Sequence, residues 1–212
     1  MNYTQLKQSI IDYTENTDTE FETVIPTFVQ LAEQRIYNSV LIPNLRRNVS
    51  ANAYANNRYL ETPTDFLSTY EMMIVDEDGA YWPMLQKEVS YMRQSYPDPT
   101  YTARPQYYAF FDDNTFYLAP TPDQAYTVEL HYYYYPESIV TNGTSWLGDN
   151  FEMVLLYGAL VEAAAFMKAD GDIIANYGAQ YDKYLFLLKN YADGRVRNDE
   201  YRNQPARTRG IN

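Results

Sequence analysis

Residues 151–169, FEMVLLYGALVEAAAFMKA, are apolar on almost every side of a helix, so this segment has to be enclosed by other helices. It is the expected centre of a bundle, with Ala159, Ala163, Ala164 and Ala165 leaving room for close neighbours. Three other stretches share the helical period. Residues 3–16 set Leu6, Ile10, Ile11 and Tyr13 behind Thr4 as a cap. FETVIPTFVQLAEQRIYNSVLIP (21–43) sets Phe28, Leu31, Ala32, Arg35, Ile36 and Ser39 on successive turns, with Pro26 expected in the first turn and Pro43 ending the run. Gly171 is the expected break after the central helix. The last helix, 172–194, then carries a stripe of Ile174, Tyr177, Tyr181, Tyr184, Leu185 and Leu188, and Gly194 stands where a C-terminal cap belongs.

Between these helices the period changes to that of strands. RNVSANAY and RYLETP are expected to pair around Ala55–Asn56–Asn57, because Asn tolerates the left-handed backbone of tight turns. STYEMMIV and AYWPML flank DEDG, and QYYAFF and TFYLAP flank Asp112–Asp113–Asn114, both hairpin signals. KEVSYMRQSY (87–96) reads as a short helix. AYTVELHYYYYP sets Val128 and Leu130 on one face with Tyr132 and Tyr134, which leaves Tyr133 and Tyr135 on the other. The expected fold is therefore α+β: a four-helix bundle of two N-terminal and two C-terminal helices, with an inserted antiparallel β sandwich or barrel. The expected domains are 1–45 with 146–194 (bundle), 46–145 (β insertion) and 195–212 (an extended basic C-terminal segment).

Tyrosine supplies 24 of the 212 residues against 9 Phe and 2 Trp. Its apolar ring and hydroxyl suit half-buried surfaces and interfaces. Four consecutive tyrosines on both faces of one strand point to the chain's own core on one side and a partner on the other, with Tyr133 and Tyr135 on the partner's side. The net charge is −12. Five arginines and two acids leave the last 18 residues at +3, so residues 1–194 carry −15. An acidic body disfavours binding to a phosphate backbone. The basic end is expected either to stay solvated or to order on a partner.

Little in the sequence points to catalysis. With no cysteine and one histidine, thiol chemistry, zinc–thiolate sites and triads lack their parts. His131 is expected as a packed strand residue. Asp76–Glu77–Asp78 and Asp112–Asp113 lack the spacing of a calcium loop and fall where turns want such residues. No catalytic, cofactor or metal residue is assigned, and no enzyme is expected. No leader sequence or membrane-spanning run is read from the chain, and no membrane partner is expected. Tyr81 and Trp82 beside Glu71 would suit a sugar, so a glycan- or receptor-binding module is the alternative reading, and a plain homo-oligomeric protein a third.

Several segments together resemble the head–tail adaptor (connector) proteins of short-tailed bacteriophages. IPTFVQLAEQRIYNSVLIPNLRR is similar to their second helix, and ETPTDFL (61–67) to their step into the β region. RPQYYAFFDDNTFYLAPTPDQAYTVELHYYYYPE is similar to their strand pair, and LLYGALVEAAAFMKAD with YGAQYDKYLFLL to their final helices. Thr62 stands where that family more often has Leu, and no motif aligns beyond 194. The resemblance implies a non-enzymatic structural protein of the virion's head–tail junction, assembled in the host cytoplasm. It implies a ring of twelve copies that joins the portal protein to the tail nozzle or tube, with DNA passing through the channel without specific binding. It also implies that the C-terminal extension, here with Arg195, Arg197, Tyr201, Arg202, Arg207 and Arg209, reaches onto the portal.

Overall fold

The computed structural model describes residues 1–197, with side chains through residue 194. It is α+β, with seven helices and two mostly antiparallel sheets among the described residues. Two compact units divide the chain: Met1–Pro43 with the described residues from Glu137 onward, and Asn44–Pro136.

In the first unit, helix α1 (Tyr3–Thr14) starts two residues earlier than a Thr4 cap would allow. Asn2 is the cap: it accepts from the Gln5 amide at 2.9 Å while the Gln5 side chain accepts from the Asn2 amide, a reciprocal pair that satisfies two otherwise orphaned donors. Helix α2 (Thr19–Ser39) likewise starts early, so Pro26 lies two turns in and not in the first turn. An interior proline loses one backbone hydrogen bond. Burial of Phe21 and Ile25, with Glu20 and Glu22 at the positive end of the helix dipole, favours the extra turns.

Two short helices follow the β unit, α4 (Ile139–Asn142) and α5 (Trp146–Asn150), before the apolar α6 (Glu152–Phe166). Helix α6 packs against α1, α2, α5 and α7 (Gly171–Arg197), as its all-round apolarity requires. Gly158 permits the α2 contact: a methyl group there would stand 3.0 Å from the Ala32 Cβ and 3.3 Å from the Tyr181 ring. Gly171 does not break α6. The helix ends at Phe166 with Met167 as its cap, Lys168 takes a left-handed φ of 54°, and Gly171 opens α7. Gly194 does not cap α7 either, because buried Leu188 and Ala192 anchor its late turns and the helix runs to Arg197.

The strands of the second unit are β1 (Arg46–Ala53), β2 (Tyr59–Glu61), β3 (Phe66–Val75), β4 (Tyr81–Pro83), β5 (Leu85–Gln86), β6 (Tyr107–Asp112), β7 (Thr115–Ala119) and β8 (Tyr126–Tyr134), with helix α3 (Val89–Ser95) after β5. They form one sheet of order β1-β8-β3-β4 and another of order β2-β7-β6-β5. The β3–β4 and β6–β7 hairpins occur where the turn chemistry puts them, with Gly79 at φ 78°. The pairing expected across Asn56 does not occur. The turn forms, with Asn56 at φ 60° and the Asn57 amide bonded to the Tyr54 carbonyl at 3.1 Å, but β1 pairs with β8 and β2 with β7. The tight turn passes the chain from one sheet to the other. One buried cluster draws Ala53, Met72, Ile74, Val128, Leu130 and Tyr132 from one sheet and Leu60, Tyr108, Phe116 and Leu118 from the other.

Candidate assembly surfaces

Strand β8 lies between β1 and β3, so its side chains face the shared core or the sheet's outer surface. On the core side Tyr132 is 4% exposed, stacks on Phe66 with centroids 5.9 Å apart, and donates to Asp65 at 2.8 Å. Burial, with the Asp65 carboxylate adding to it, pushes the Tyr132 hydroxyl up to about 12. Tyr134 is half-buried against the same core, and the Arg47 guanidinium lies 3.9 Å from its ring centre while pairing with Asp65.

On the outer side Tyr133 is already only 6% exposed within the single chain. Register explains this: Arg46 stands opposite Tyr133 across the β1–β8 pair. Its guanidinium lies 4.9 Å from the Tyr133 ring centre and 3.8 Å from that of Tyr70, and donates to the Tyr133 hydroxyl at 2.7 Å. Tyr70, in an irregular stretch of β3, meets Tyr133 and His131 edge-on. His131 is thus a packed residue. Tyr70 remains 50% exposed, and Tyr135, just past the strand, 36%. The sequence reading named Tyr133 and Tyr135 but missed Arg46 and Tyr70, whose roles depend on register.

The Tyr81–Trp82 surface is differently arranged from a sugar platform. The Arg104 guanidinium sits 3.8 Å from the Trp82 ring centre and occupies a ring face. The Trp82 indole N–H donates to Asp76 at 2.8 Å, and with the Ala80 and Asp78 amides it holds that carboxyl below the usual carboxylate range. Asp76 therefore closes its own turn, as the hairpin reading expects. Among the described residues, no group of three or more His, Cys, Asp or Glu side chains could hold a metal ion, and no helix is long and apolar enough to cross a membrane.

The helical unit leaves large apolar side chains uncovered: Phe186 is 62% and Leu187 49% exposed on α7, and Ile173, near its start, 41%. Leu187 borders a small cavity of about 160 Å³, shared with Phe151, Met153, Val154 and Tyr184. On the same unit, Tyr157 stacks on Tyr184 at 5.6 Å and meets Tyr13 edge-on at 6.2 Å. The Tyr181 hydroxyl is buried with no hydrogen-bond partner among the described residues. Tyr181→Phe should therefore stabilise the chain, by about 1 kcal/mol, since it deletes an unpaired polar group and keeps the ring. A urea midpoint that falls in this variant would show that the hydroxyl is satisfied.

Arg195 and Arg197 lie in the last turns of α7. Tyr201, Arg202, Arg207 and Arg209 lie outside the described residues. Large apolar side chains left uncovered on a helix mark a surface that meets another protein. No curated protein matches the chain. A model of the family described as SU10 adaptor protein matches residues 1–209, nearly the whole length. The chain belongs to that family, the structural head–tail adaptor proteins of bacteriophage particles.

Proposed function

We propose that this chain is the ring subunit that joins the portal to the tail. Twelve copies close a ring beneath the portal. The four-helix bundle of α1, α2, α6 and α7 contacts neighbours and the portal, while the β sandwich faces the tail nozzle or tube. The family match over residues 1–209 carries this reading. The exposed Phe186 and Leu187 support it, because a ring needs an apolar patch on each copy that fits a different patch on the next. The net charge of −12 supports it too: an acidic wall lets DNA pass through the channel without sticking. The basic C-terminal segment, with Arg195, Arg197, Tyr201, Arg202, Arg207 and Arg209, docks on an acidic groove of the portal through charge-assisted contacts. Tyr133 with its Arg46 support, and Tyr135, form part of a contact with a neighbour or tail protein.

Native mass spectrometry of the chain mixed with the portal of the same phage tests this. The portal ring should gain about twelve copies, whereas a chain that stays monomeric beside an unchanged portal would overturn the reading. Deletion of residues 195–212 should weaken uptake and leave the fold intact; undiminished uptake would remove the C-terminal segment from the interface. Phe186→Glu should change stability by no more than about 0.5 kcal/mol yet prevent ring closure.

A further inference from the structure

The β unit is closed on one side and open on the other. Its two sheets end at β4 and β5 on one flank, and at β1 and β2 on the other. The first pair is blunted: β4 has three residues and includes Pro83, and β5 has two and leads into α3. Natural sheet edges are protected in this way, by brevity, proline, lysine, inward charge or a bulge. Strand β1 has none of these from Asn48 to Ala53. It is eight residues long, pairs with β8 in unbroken register, and has no strand on its other edge among the described residues.

The core is also under-covered here. Val49 stands opposite buried Leu130, and Ala51 opposite buried Val128, so both point towards the shared core. Yet Val49 is 38% exposed and Ala51 only partly buried, because β2 across from them is three residues long. A groove of about 570 Å³ runs beside Ala51 and Asn52 of β1 and Tyr59, Leu60 and Glu61 of β2, within the range of ligand-seating clefts. Among the described residues, its rim carries two carboxylates, Glu61 and Asp112, and no basic side chain. Tyr54, Tyr59 and Phe111, 63%, 45% and 42% exposed, leave ring surface open beside them. This chain seats guanidinium groups on such rings elsewhere, Arg46 on Tyr70 and Arg104 on Trp82.

We propose that the free edge of β1, with the groove between β1 and β2, receives an extended segment of a different protein. That segment adds to the sheet as a fifth strand, lays small apolar side chains over Val49 and Ala51, and sets an arginine or lysine among the open rings, Glu61 and Asp112. Main-chain hydrogen bonds supply the affinity and the alternate side chains the selectivity. A second copy fits less well, since the two cations of its β1, Arg46 and Arg47, are already engaged with Tyr133 and Asp65, so pairing β1 with β1 leaves Glu61 and Asp112 without a free cation. The site does not depend on ring formation.

The probe is a capped seven-residue peptide, Arg-Val-Thr-Val-Thr-Val-Arg, beside the same peptide N-methylated at alternate amides, which keeps the side chains and charge but loses donors. Hydrogen exchange is followed on the full chain. The plain peptide should slow exchange over residues 46–53 at least tenfold, the methylated one should not, and Glu61→Lys, a change at an exposed position, should weaken the effect about tenfold. Equal effects of the two peptides, no slowing in β1, an unchanged response in Glu61→Lys, or a β1 already protected in self-associated chains would each overturn the proposal.

Discussion

Phe116→Ala should cost the chain about 3–5 kcal/mol, a fifth or more of the total stability of an ordinary domain of about 5–15 kcal/mol. Phe116 is fully buried at the centre of the β unit. Its ring meets Phe66 at 5.5 Å and Tyr108 at 5.8 Å, both edge-on, and Phe110 at 5.4 Å. Truncation opens a cavity between side chains that come from both sheets, so the backbone cannot close it by shifting one strand. The lost ring contacts add to the lost burial. The urea midpoint should fall by more than about 1 M, given a slope of about 1–3 kcal/mol per molar. Hydrogen exchange should place the loss in β3, β7 and β8. A cost under about 1 kcal/mol would mean that the two sheets do not depend on one shared core.

Phe116 also marks what the sequence can and cannot reveal. Its alternation with Thr115 and Tyr117 places it in a strand, and the Asp112–Asn114 turn places that strand in a hairpin, because both signals are local. The helices are legible for the same reason: α6 is apolar all round, and burial of Val154, Leu155, Leu156 and Leu160 follows. The step from β1 to β2 is not legible, since the left-handed Asn56 serves a hairpin and a crossing between sheets equally well. What decides between them is β8, which lies more than seventy residues later and pairs with β1 on one edge and β3 on the other. The cover over Tyr133 depends on the same distant register: Arg46 reads only as a charged residue before a strand until Tyr133 is set opposite it. The late turns of α7 were hidden by Gly194, a residue that ends helices where nothing anchors them, whereas here Ala192 is buried two residues before it.

Glu33 is the other case of a distant partner, and its loss should have the second-largest effect. In the sequence it belongs to the polar AEQR run of α2, yet it is 4% exposed. Its carboxylate accepts the Ile139 amide at 2.9 Å, which ties the chain's return from the β unit to the N-terminal helices. Glu33→Ala should cost about 1–3 kcal/mol, because it leaves that amide buried and unpaired. Glu33→Gln keeps an acceptor and removes the charge. Burial pushes the Glu33 carboxyl above the usual carboxylate range, against the opposing bonds from Ile139 and Ser138. A group raised in the folded state favours folding when protonated, so its contribution is full below the ordinary carboxylate pKa and is lost as pH rises through the raised value. The wild-type chain should therefore lose stability relative to Glu33→Gln as pH climbs out of the acid range. The other carboxylates titrate alike in both proteins and cancel in the difference. Paired urea melts at pH 4 and pH 8 measure it: a gap in favour of Glu33→Gln that widens at pH 8 is the expected result, and a gap that stays constant would mean Glu33 is ionised in the folded chain at no cost.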